Sequence, residues 1–357
     1  MPKRVGDMRG CVGVRGAHVV GNVAYLASTD GLSIVDFGDP RNPALLDEAP
    51  VGDFNLSVQV VGHLGFVTSL DSGLHIFGLD SPTHPVPLGR YSLNAYETQV
   101  VGTRAYVASG SGLWILDVAD PASPRGIGHY DTPVIGVQVV GNTAYLNAGQ
   151  GGLHIVDVGD PAVPRLVNTP GANHAYKIRV VEHRGYLASG SLIVLDLTIP
   201  ANPTLLGSFA GTDIRDVEIA GNLALVADRE TGLHVLDISF PSSPIRIGGD
   251  RSRGTHSVWI EGNLACVSDA NTGLRVFDLG ELRRAPVIWA GREGPRRHLQ
   301  LKGQSGSRYV LEEVGSLGGP SNWIQIGEVV LTNDTQKVPL PVAQGGTQTF
   351  YRARLSP

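Results

Sequence analysis

A unit of roughly 40 residues recurs along the first four fifths of the chain, and this repeat constrains the fold more than any other feature. Its clearest copy covers residues 152–164, where a β-rich run is followed by a turn that lies between two prolines. A Gly-Leu pair, or Ser-Leu in one copy, marks the same position in each unit, at Gly31, Gly73, Gly112, Gly152, Ser191, Gly232 and Gly273. Seven units of this length are typical of β-propeller blades.

Each unit divides into four short β-rich runs, which we label strands A to D. A Gly-Asn pair such as Gly141-Asn142 separates A from B, and this pair predicts a tight hairpin in which both turn residues need positive φ. The runs carry apolar residues on both sides, which suits sheets covered on both faces. We therefore predict an all-β fold with seven four-stranded antiparallel blades around a channel.

The seventh unit leaves open how the ring closes. Val5-Gly6 lies as far before the Gly21 turn as the outer strands of other units lie before theirs, so the N-terminus can supply strand D of the last blade. Residues 286–289 are the rival for the same place. We favour closure by the N-terminus.

Three motifs carry a resemblance to a known family. These are Val-Val-Gly-Asn-x-Ala-Tyr at residues 139–145, Gly-Leu-x-Ile-Val-Asp-Val at 152–158, and Asp-Pro-x-x-Pro at 160–164. With their copies they cover about residues 4–290, and the pattern resembles the LVIVD-repeat family of β-propellers. The resemblance implies the architecture and a bacterial protein that is secreted or exposed on the cell surface. It implies no family-wide catalytic motif.

After Ala290 the repeat ends, so we expect one domain at residues 1–290 and another at 291–357. Short alternating runs, among them residues 308–312 and 323–326, are separated by Gly, Ser, Asn and Pro clusters and predict a small β-sandwich. With Trp323 and the Phe350-Tyr351-Arg352 ending, this part resembles C-terminal modules appended to secreted bacterial proteins.

Composition excludes several functional classes. The formal net charge is -5 and no basic run indicates a nucleic-acid surface. Cys11 and Cys266 are the two cysteines, too few for a disulfide framework, and we expect Cys266 to be a buried free thiol. No segment has the length and apolarity of a membrane span. We expect an extracellular or cell-surface location, with a cytoplasmic one left open.

Candidate binding residues come from one end of the channel. In a propeller the D-to-A and B-to-C connections emerge at the same face, and ligand sites favour such concavities. We call this end the mouth, and we select polar residues just before or at the start of strand A in several blades. They are Arg15, Tyr96, Glu97, His174, Tyr176, Lys177, Asp213, Arg215, Asp216, Arg253 and His256.

These charges also have a purely structural interpretation. Lys177 is in register with Asp216 of the next blade and Arg179 with Glu218, so ion pairs between blades would satisfy them. Three equivalent residues deeper in the channel, Gln59, Gln99 and Gln138, are interpreted as wall lining. We assign no catalytic residue, metal ligand or cofactor.

The sequence therefore favours a non-catalytic binding or surface-interaction protein that uses the channel mouth. The partner is a polar small molecule, a saccharide or a protein. The alternative is an enzyme that acts on a saccharide or another polar small molecule at the same pocket, through His174, Tyr176, Arg215 and His256.

Overall fold

The computed structural model describes the chain apart from residues 1–2, 9–12, 30, 40, 53, 82, 172–173, 270–272, 281–286, 294–295, 303–307, 315–323, 331–334, 340–349 and 356–357. Two compact units follow each other, Met1–Leu279 and Gly280–Pro357. The sequence interpretation placed their limit after Ala290, but a strand that crosses this position belongs to the second unit, as described below.

The first unit consists of short strands joined by turns. They are β1 (Lys3–Met8), β2 (Gly16–Val20), β3 (Val23–Ser28), β4 (Gly31–Asp36), β5 (Ala44–Ala49), β6 (Asn55–Val61), β7 (Leu64–Ser69), β8 (Gly73–Gly78), β9 (Val86–Tyr91), β10 (Ala95–Val101), β11 (Arg104–Ser109), β12 (Gly112–Asp117), β13 (Arg125–Tyr130), β14 (Gly136–Val140), β15 (Thr143–Asn147), β16 (Leu153–Asp157), β17 (Arg165–Asn168), β18 (Lys177–Val181), β19 (Arg184–Asp196), β20 (Thr204–Ala220), β21 (Leu223–Asp228), β22 (Gly232–Asp237), β23 (Ile245–Asp250), β24 (Thr255–Glu261), β25 (Leu264–Asp269) and β26 (Gly273–Asp278).

These strands form seven blades in the described part of the unit. Five blades are separate four-stranded antiparallel sheets, and the fifth and sixth blades share one sheet of six labelled strands, β18 to β23. Two long strands explain the sharing. The second half of β19 pairs with the start of β20, as in Leu192↔Phe209, whereas the end of β20 pairs with β21, as in Val217↔Val226. β20 is therefore strand D of blade five and strand A of blade six.

The apolar faces of the blades are buried against their neighbours. Each of six clusters of buried residues draws on two consecutive blades, as the prediction of mutually covered sheets requires. One cluster joins Trp259, Cys266 and Val276 of blade seven to Leu26 and other residues of blade one. Cys266 is a buried free thiol, as predicted, and burial raises its pKa to about 12. Cys11 lies outside the described residues.

The N-terminus closes the ring, which confirms the favoured closure. β1 pairs antiparallel with β26, from Lys3↔Asp278 to Met8↔Leu274, and so becomes the outer strand of blade seven. The rival segment is used elsewhere, because β27 (Val287–Glu293) pairs with β28 (Arg296–Lys302) in the second unit. Joining the first strand to the last blade ties both ends of the ring together.

The A-to-B hairpins form as predicted, but by a different turn from the one expected. The first turn residue has positive φ, for example +60° at Gly21 and +58° at Gly141. Among described non-glycine residues only His174 and Glu182 have positive φ, so Asn142 does not. One positive φ at the first turn position is the pattern of a type II′ turn, whereas the sequence analysis expected two.

The second unit is made of two three-stranded antiparallel sheets. One contains β27, β28 and β31 (Thr335–Pro339), and the other contains β29 (Arg308–Val314), β30 (Ile324–Val330) and β32 (Phe350–Leu355). Leu299 and Leu301 of the first sheet share a core with Tyr309 and Leu311 of the second. The unit is therefore a small sandwich, and β27 is its first strand. Trp323 lies outside the described residues.

Candidate functional site

A channel cavity of about 850 Å³ runs between the inner strands, and all seven blades line it. Eight of the candidate residues line the cavity: Arg15, Tyr96, Glu97, Tyr176, Lys177, Arg215, Asp216 and His256. Arg253 and His174 are exposed and are not part of this lining, and neither is the half-buried Asp213. The structure therefore brings most of the sequence candidates to one cavity, which is within the usual range of small-molecule sites.

Glutamine side chains join neighbouring blades inside the channel. Gln138 Oε1 accepts a hydrogen bond from Val180 N at 2.7 Å, and Gln138 Nε2 donates one to Val180 O at 3.1 Å. Gln99 forms the same pair of bonds with Val139, and Gln59 accepts from Val100 N. Strand A is the inner edge of its sheet, and an edge leaves alternate N–H and C=O groups without a ladder partner. The glutamines of one blade satisfy these groups on the next.

Carboxylates make similar links two residues nearer the mouth along strand A. Glu97 Oε2 accepts from Val137 N of the next blade at 3.2 Å. Asp216 Oδ2 accepts from Val258 N of the next blade at 3.0 Å, while its Oδ1 accepts from Val217 N at 2.8 Å. These residues are therefore engaged in holding adjacent inner strands together.

Blade five replaces these acceptors with cations. Lysine and arginine carry no acceptor, so they cannot bind the free N–H groups of the next strand. Arg179 forms an ion pair with Glu218 of blade six, which confirms that prediction. The predicted pair between Lys177 and Asp216 is wrong, because Lys177 forms its ion pair with Glu97 of blade three.

Gly136 of blade four leaves the space in which Glu97 of blade three reaches Lys177 of blade five. Gly136 occupies the position of Glu97 and Lys177 in its own blade, and a Cβ placed there would lie 2.8 Å from Glu97 Oε2 and 2.4 Å from Asn147 Nδ2. The missing side chain leaves the space through which Glu97 reaches Lys177. Strand register alone therefore pointed to the wrong partner for Lys177.

Asp216 is the most deeply buried carboxylate of the channel wall, with 8% of its surface exposed. Burial raises the pKa of Asp216 to about 6, against the opposing attraction of Lys177 and Arg179. Perturbed carboxylates in clefts are candidate acid or base groups. Here both carboxylate oxygens accept backbone N–H groups, so the environment favours a structural role.

At the mouth, Tyr176 and Arg215 form a fixed stack. The Arg215 guanidinium lies 4.1 Å from the Tyr176 ring centroid and donates two hydrogen bonds to Asp213, of 2.7 and 3.0 Å. Hydrogen bonding to Asp213 raises the pKa of Arg215. The His174 ring stacks on the Tyr176 ring, with centroids 6.3 Å apart, and His174 adopts a φ of +58°. Cation–π contact and bidentate pairing together fix the Arg215 side chain.

His256 lies in a positively charged part of the mouth. Its pKa is lowered first by burial and then by Arg229, Arg215 and Arg15, with Asp213 acting in the opposite direction. Arg15 is exposed and lies 5.9 Å from the ring centroid of Phe54. Three arginines thus act on the pKa of His256 in the same direction.

Arg229, a residue of this mouth, was not among the candidates from the sequence. It follows β21 in the B-to-C loop of blade six, where its backbone N donates a hydrogen bond to Asp213 O at 3.0 Å. Asp228 is fully buried and accepts backbone N–H bonds from Thr212, Asp213, Glu230 and Thr231, at 2.7 to 3.2 Å. These bonds lower the pKa of Asp228 despite its burial. Asp228 thereby holds the loop that presents Asp213 and Arg215, the turn-shaping role that is usual for an isolated acid in such a loop.

The described residues contain no group of three or more His, Cys, Asp or Glu side chains arranged to hold a metal ion. Three histidines at equivalent positions of strand C, in blades two, four and six, each contact a hydroxyl group. His75 contacts Ser72 Oγ at 2.7 Å, His234 contacts Thr231 Oγ1 at 2.7 Å, and His154 contacts the hydroxyl of Tyr130 at 3.0 Å. Within the described ranges, no helix has the length and apolarity needed to cross a membrane.

Comparison with known proteins agrees with the repeat pattern. A sequence model of the LVIVD repeat matches residues 14–48, 94–132, 134–169, 211–249 and 252–281, just over half of the chain. Blades two and five are not matched, and they depart from the pattern with Gly78 in place of the strand-end Asp and Ser191 in place of the Gly. None of the curated proteins compared matches the sequence.

Solved β-propellers resemble the chain in structure. The WD40 β-propeller domain of Doa1 is 13% identical with a TM-score of 0.63, over 79% of this chain and 98% of that one. The β-propeller domain of Cps50 (Swd1) from Myceliophteria thermophila is 10% identical with a TM-score of 0.62, over 78% and 99%. The computationally designed Ika8 protein is 10% identical with a TM-score of 0.59, over 83% and 96%. At these identities the likeness concerns the fold alone.

Proposed function

The chain belongs to the LVIVD repeat family, and we propose that it is a non-catalytic binding protein that holds a polar small molecule at the mouth of its propeller channel. The observation that carries this proposal is the fixed wall of the cavity. Gln99, Gln138, Glu97 and Asp216 each bind backbone groups of a neighbouring blade. A cavity whose wall is already ordered loses little conformational entropy when a ligand enters.

The residues of the enzymatic alternative support binding better than catalysis. Arg215 is held by Asp213 and by the Tyr176 ring, and His174 stacks on Tyr176 outside the cavity lining. A general base needs a position within hydrogen-bond reach of the reacting group. Of the two histidines in that alternative, only His256 lines the cavity. We therefore assign this group to ligand recognition.

A thermal-shift screen against sugars, organic acids and divalent metals tests the proposal. Leu56 lines the mouth and is half-buried, so Leu56→Trp places an indole in the entrance. The matched control is Leu205→Trp, on an outer strand where the leucine is 67% exposed. We expect at least one compound to raise the Tm of the wild type and the control but not of Leu56→Trp. A screen with no stabilising compound, or stabilisation that survives in Leu56→Trp, would contradict the proposal.

We also propose that the protein acts outside the cell or on its surface, as the family resemblance implies. Its support is the resemblance of the repeat motifs and of the C-terminal module. Protease treatment of intact cells, followed by detection of the chain, tests this location. Protection of the chain in intact cells and its loss after lysis would place it inside.

A further inference from the structure

Two arginines at the mouth are free of ion pairs within the part of the chain that the structure describes. Arg15 lines the cavity and contacts the Phe54 ring. Arg229 is exposed in the loop after β21, outside the cavity lining, and its backbone N donates a hydrogen bond to Asp213 O at 3.0 Å. Both arginines lie close enough to His256 to lower its pKa, as does Arg215. Two described carboxylates on this side of the mouth are already engaged, since Asp213 is bound by Arg215 and the buried Asp228 accepts four backbone N–H groups. Arg15 and Arg229 therefore keep guanidinium groups that none of the described carboxylates binds, beside an Arg215 that is already paired.

The facing wall of the mouth has a different character. Leu56 and Ile135 hold the positions that Arg15, Arg215 and His256 hold in their own blades, and both line the cavity. Tyr96 lies between them in the ring, on blade three, and is half-buried. One side of the entrance thus offers guanidinium groups and the other offers aliphatic and aromatic surface.

We infer that the ligand of the mouth is a small organic anion, with a carboxylate or phosphate group and an apolar or ring-shaped body. The inference rests on the proposed binding function and adds the chemical class of its ligand. Guanidinium groups match the planar carboxylate and the phosphate through paired hydrogen bonds. The apolar body gains from contact with Leu56, Ile135 and Tyr96, and a cavity of about 850 Å³ has room for both parts.

The experiment compares probes that differ in charge and share a ring. Phenylacetate and phenyl phosphate are the anionic probes, phenylacetamide is the neutral probe, and inorganic phosphate tests the anion without a body. Each is titrated calorimetrically into the full chain, the Arg15→Gln/Arg229→Gln double variant and the control Arg104→Gln. Arg104 is an exposed arginine at the A-to-B hairpin of blade three, at the opposite end of the channel.

We expect an anionic ring probe to bind at least about tenfold more tightly than phenylacetamide, and the double variant to lose this difference, since a charged hydrogen bond contributes roughly that much. Binding of the anion should weaken between about 0.05 and 0.5 M salt, whereas Arg104→Gln should bind as the wild type does. The single variant Arg229→Gln should lose part of the difference in affinity between the anionic and neutral ring probes. It provides the same test if the double variant does not fold.

Two results would overturn the inference and separate it from the proposed function. Equal affinity for phenylacetate and phenylacetamide, both abolished by Leu56→Trp, would remove the anionic class and leave the binding function standing. If the double variant binds anions as tightly as the wild type, the arginines are not the site. If no probe or screened compound binds in a way that Leu56→Trp abolishes, both the inference and the proposed function fail.

Discussion

The two sides of the channel wall join neighbouring blades with different chemistry. In blades two to four, Gln59, Gln99 and Gln138 satisfy the free edge of the next strand A with neutral hydrogen bonds. In blade five, Arg179 takes the equivalent position and binds the side chain of Glu218 of blade six instead. A repeat can therefore keep its fold while the replacement of glutamine by arginine at one position turns a neutral link between blades into a charged one.

The largest effect is expected where the charged side is broken. Arg179→Met leaves Glu218 half-buried without its partner, and we expect the free energy of unfolding of the first unit to fall by about 3 kcal/mol. Urea unfolding measures it. In the double variant Arg179→Met/Glu218→Met, part of the loss should return. A loss below about 1 kcal/mol would mean that the pair is no more than an exposed salt bridge.

The charged side should also respond to pH. The pKa of Asp216 is raised in the folded chain, to about 6, so its contribution to stability is full below pH 4 and is lost as the pH rises through 6. Unfolding measured from pH 4 to 7 should show a decrease on the order of 2 kcal/mol that Asp216→Asn removes. The exposed Asp131→Asn is the control. An unchanged slope in Asp216→Asn would assign the pH dependence to other groups.

The neutral side should lose less stability and be insensitive to salt. Gln138→Leu leaves the N–H and C=O of Val180 without their partner, and we expect a loss of about 1.5 kcal/mol in urea unfolding. Gln138→Glu keeps the acceptor for Val180 N–H and should lose less. In about 1 M salt the effect of Arg179→Met should shrink while that of Gln138→Leu persists. Equal salt dependence would erase the distinction between the two sides.

The Glu97–Lys177 ion pair connects the two sides, and Gly136→Ala tests it. The added methyl group displaces Glu97 from its position beside Lys177 and Val137 N, so we expect a loss of about 1 kcal/mol. Gly171→Ala is the matched control, because a Cβ there meets no atom within 4 Å. Thermal unfolding of the two variants gives the comparison, and equal Tm values would show that the space over Gly136 is not needed.

The smallest effect concerns the hairpin of blade five at the far end of the channel. Glu182 has a φ of +56° at a turn position that the other blades fill with glycine, for example Gly221 at +60°. Glu182→Gly should raise the free energy of unfolding by about 0.5 kcal/mol, because glycine adopts this φ without steric strain. Gly221→Ala should destabilise the equivalent turn of blade six. A destabilising Glu182→Gly would show that its side chain contributes more than the strain removes.

Local sequence signals were sufficient for the blades and insufficient for the mouth. Gly-Asn pairs and strand-end aspartates act within a few residues, and Asp157 Oδ1, for example, accepts a hydrogen bond from Gly159 N at 2.9 Å in the turn that follows its strand. The partner of Lys177 was wrong because the choice between Asp216 and Glu97 depends on the empty space above Gly136, a residue of a third blade. Arg229 was missed because the candidates were taken from the start of strand A, whereas Arg229 lies in the B-to-C loop of blade six.

By itself, the sequence determined the repeat, the four strands of each unit and the need for a closed ring, since a sheet that is apolar on both faces must be covered by its neighbours. The tertiary structure alone decided which side chains share the channel. Strands A of different blades lie tens of residues apart in sequence and meet only when the ring closes, so the ion pairs and the group of arginines at the mouth follow from the distances that closure creates.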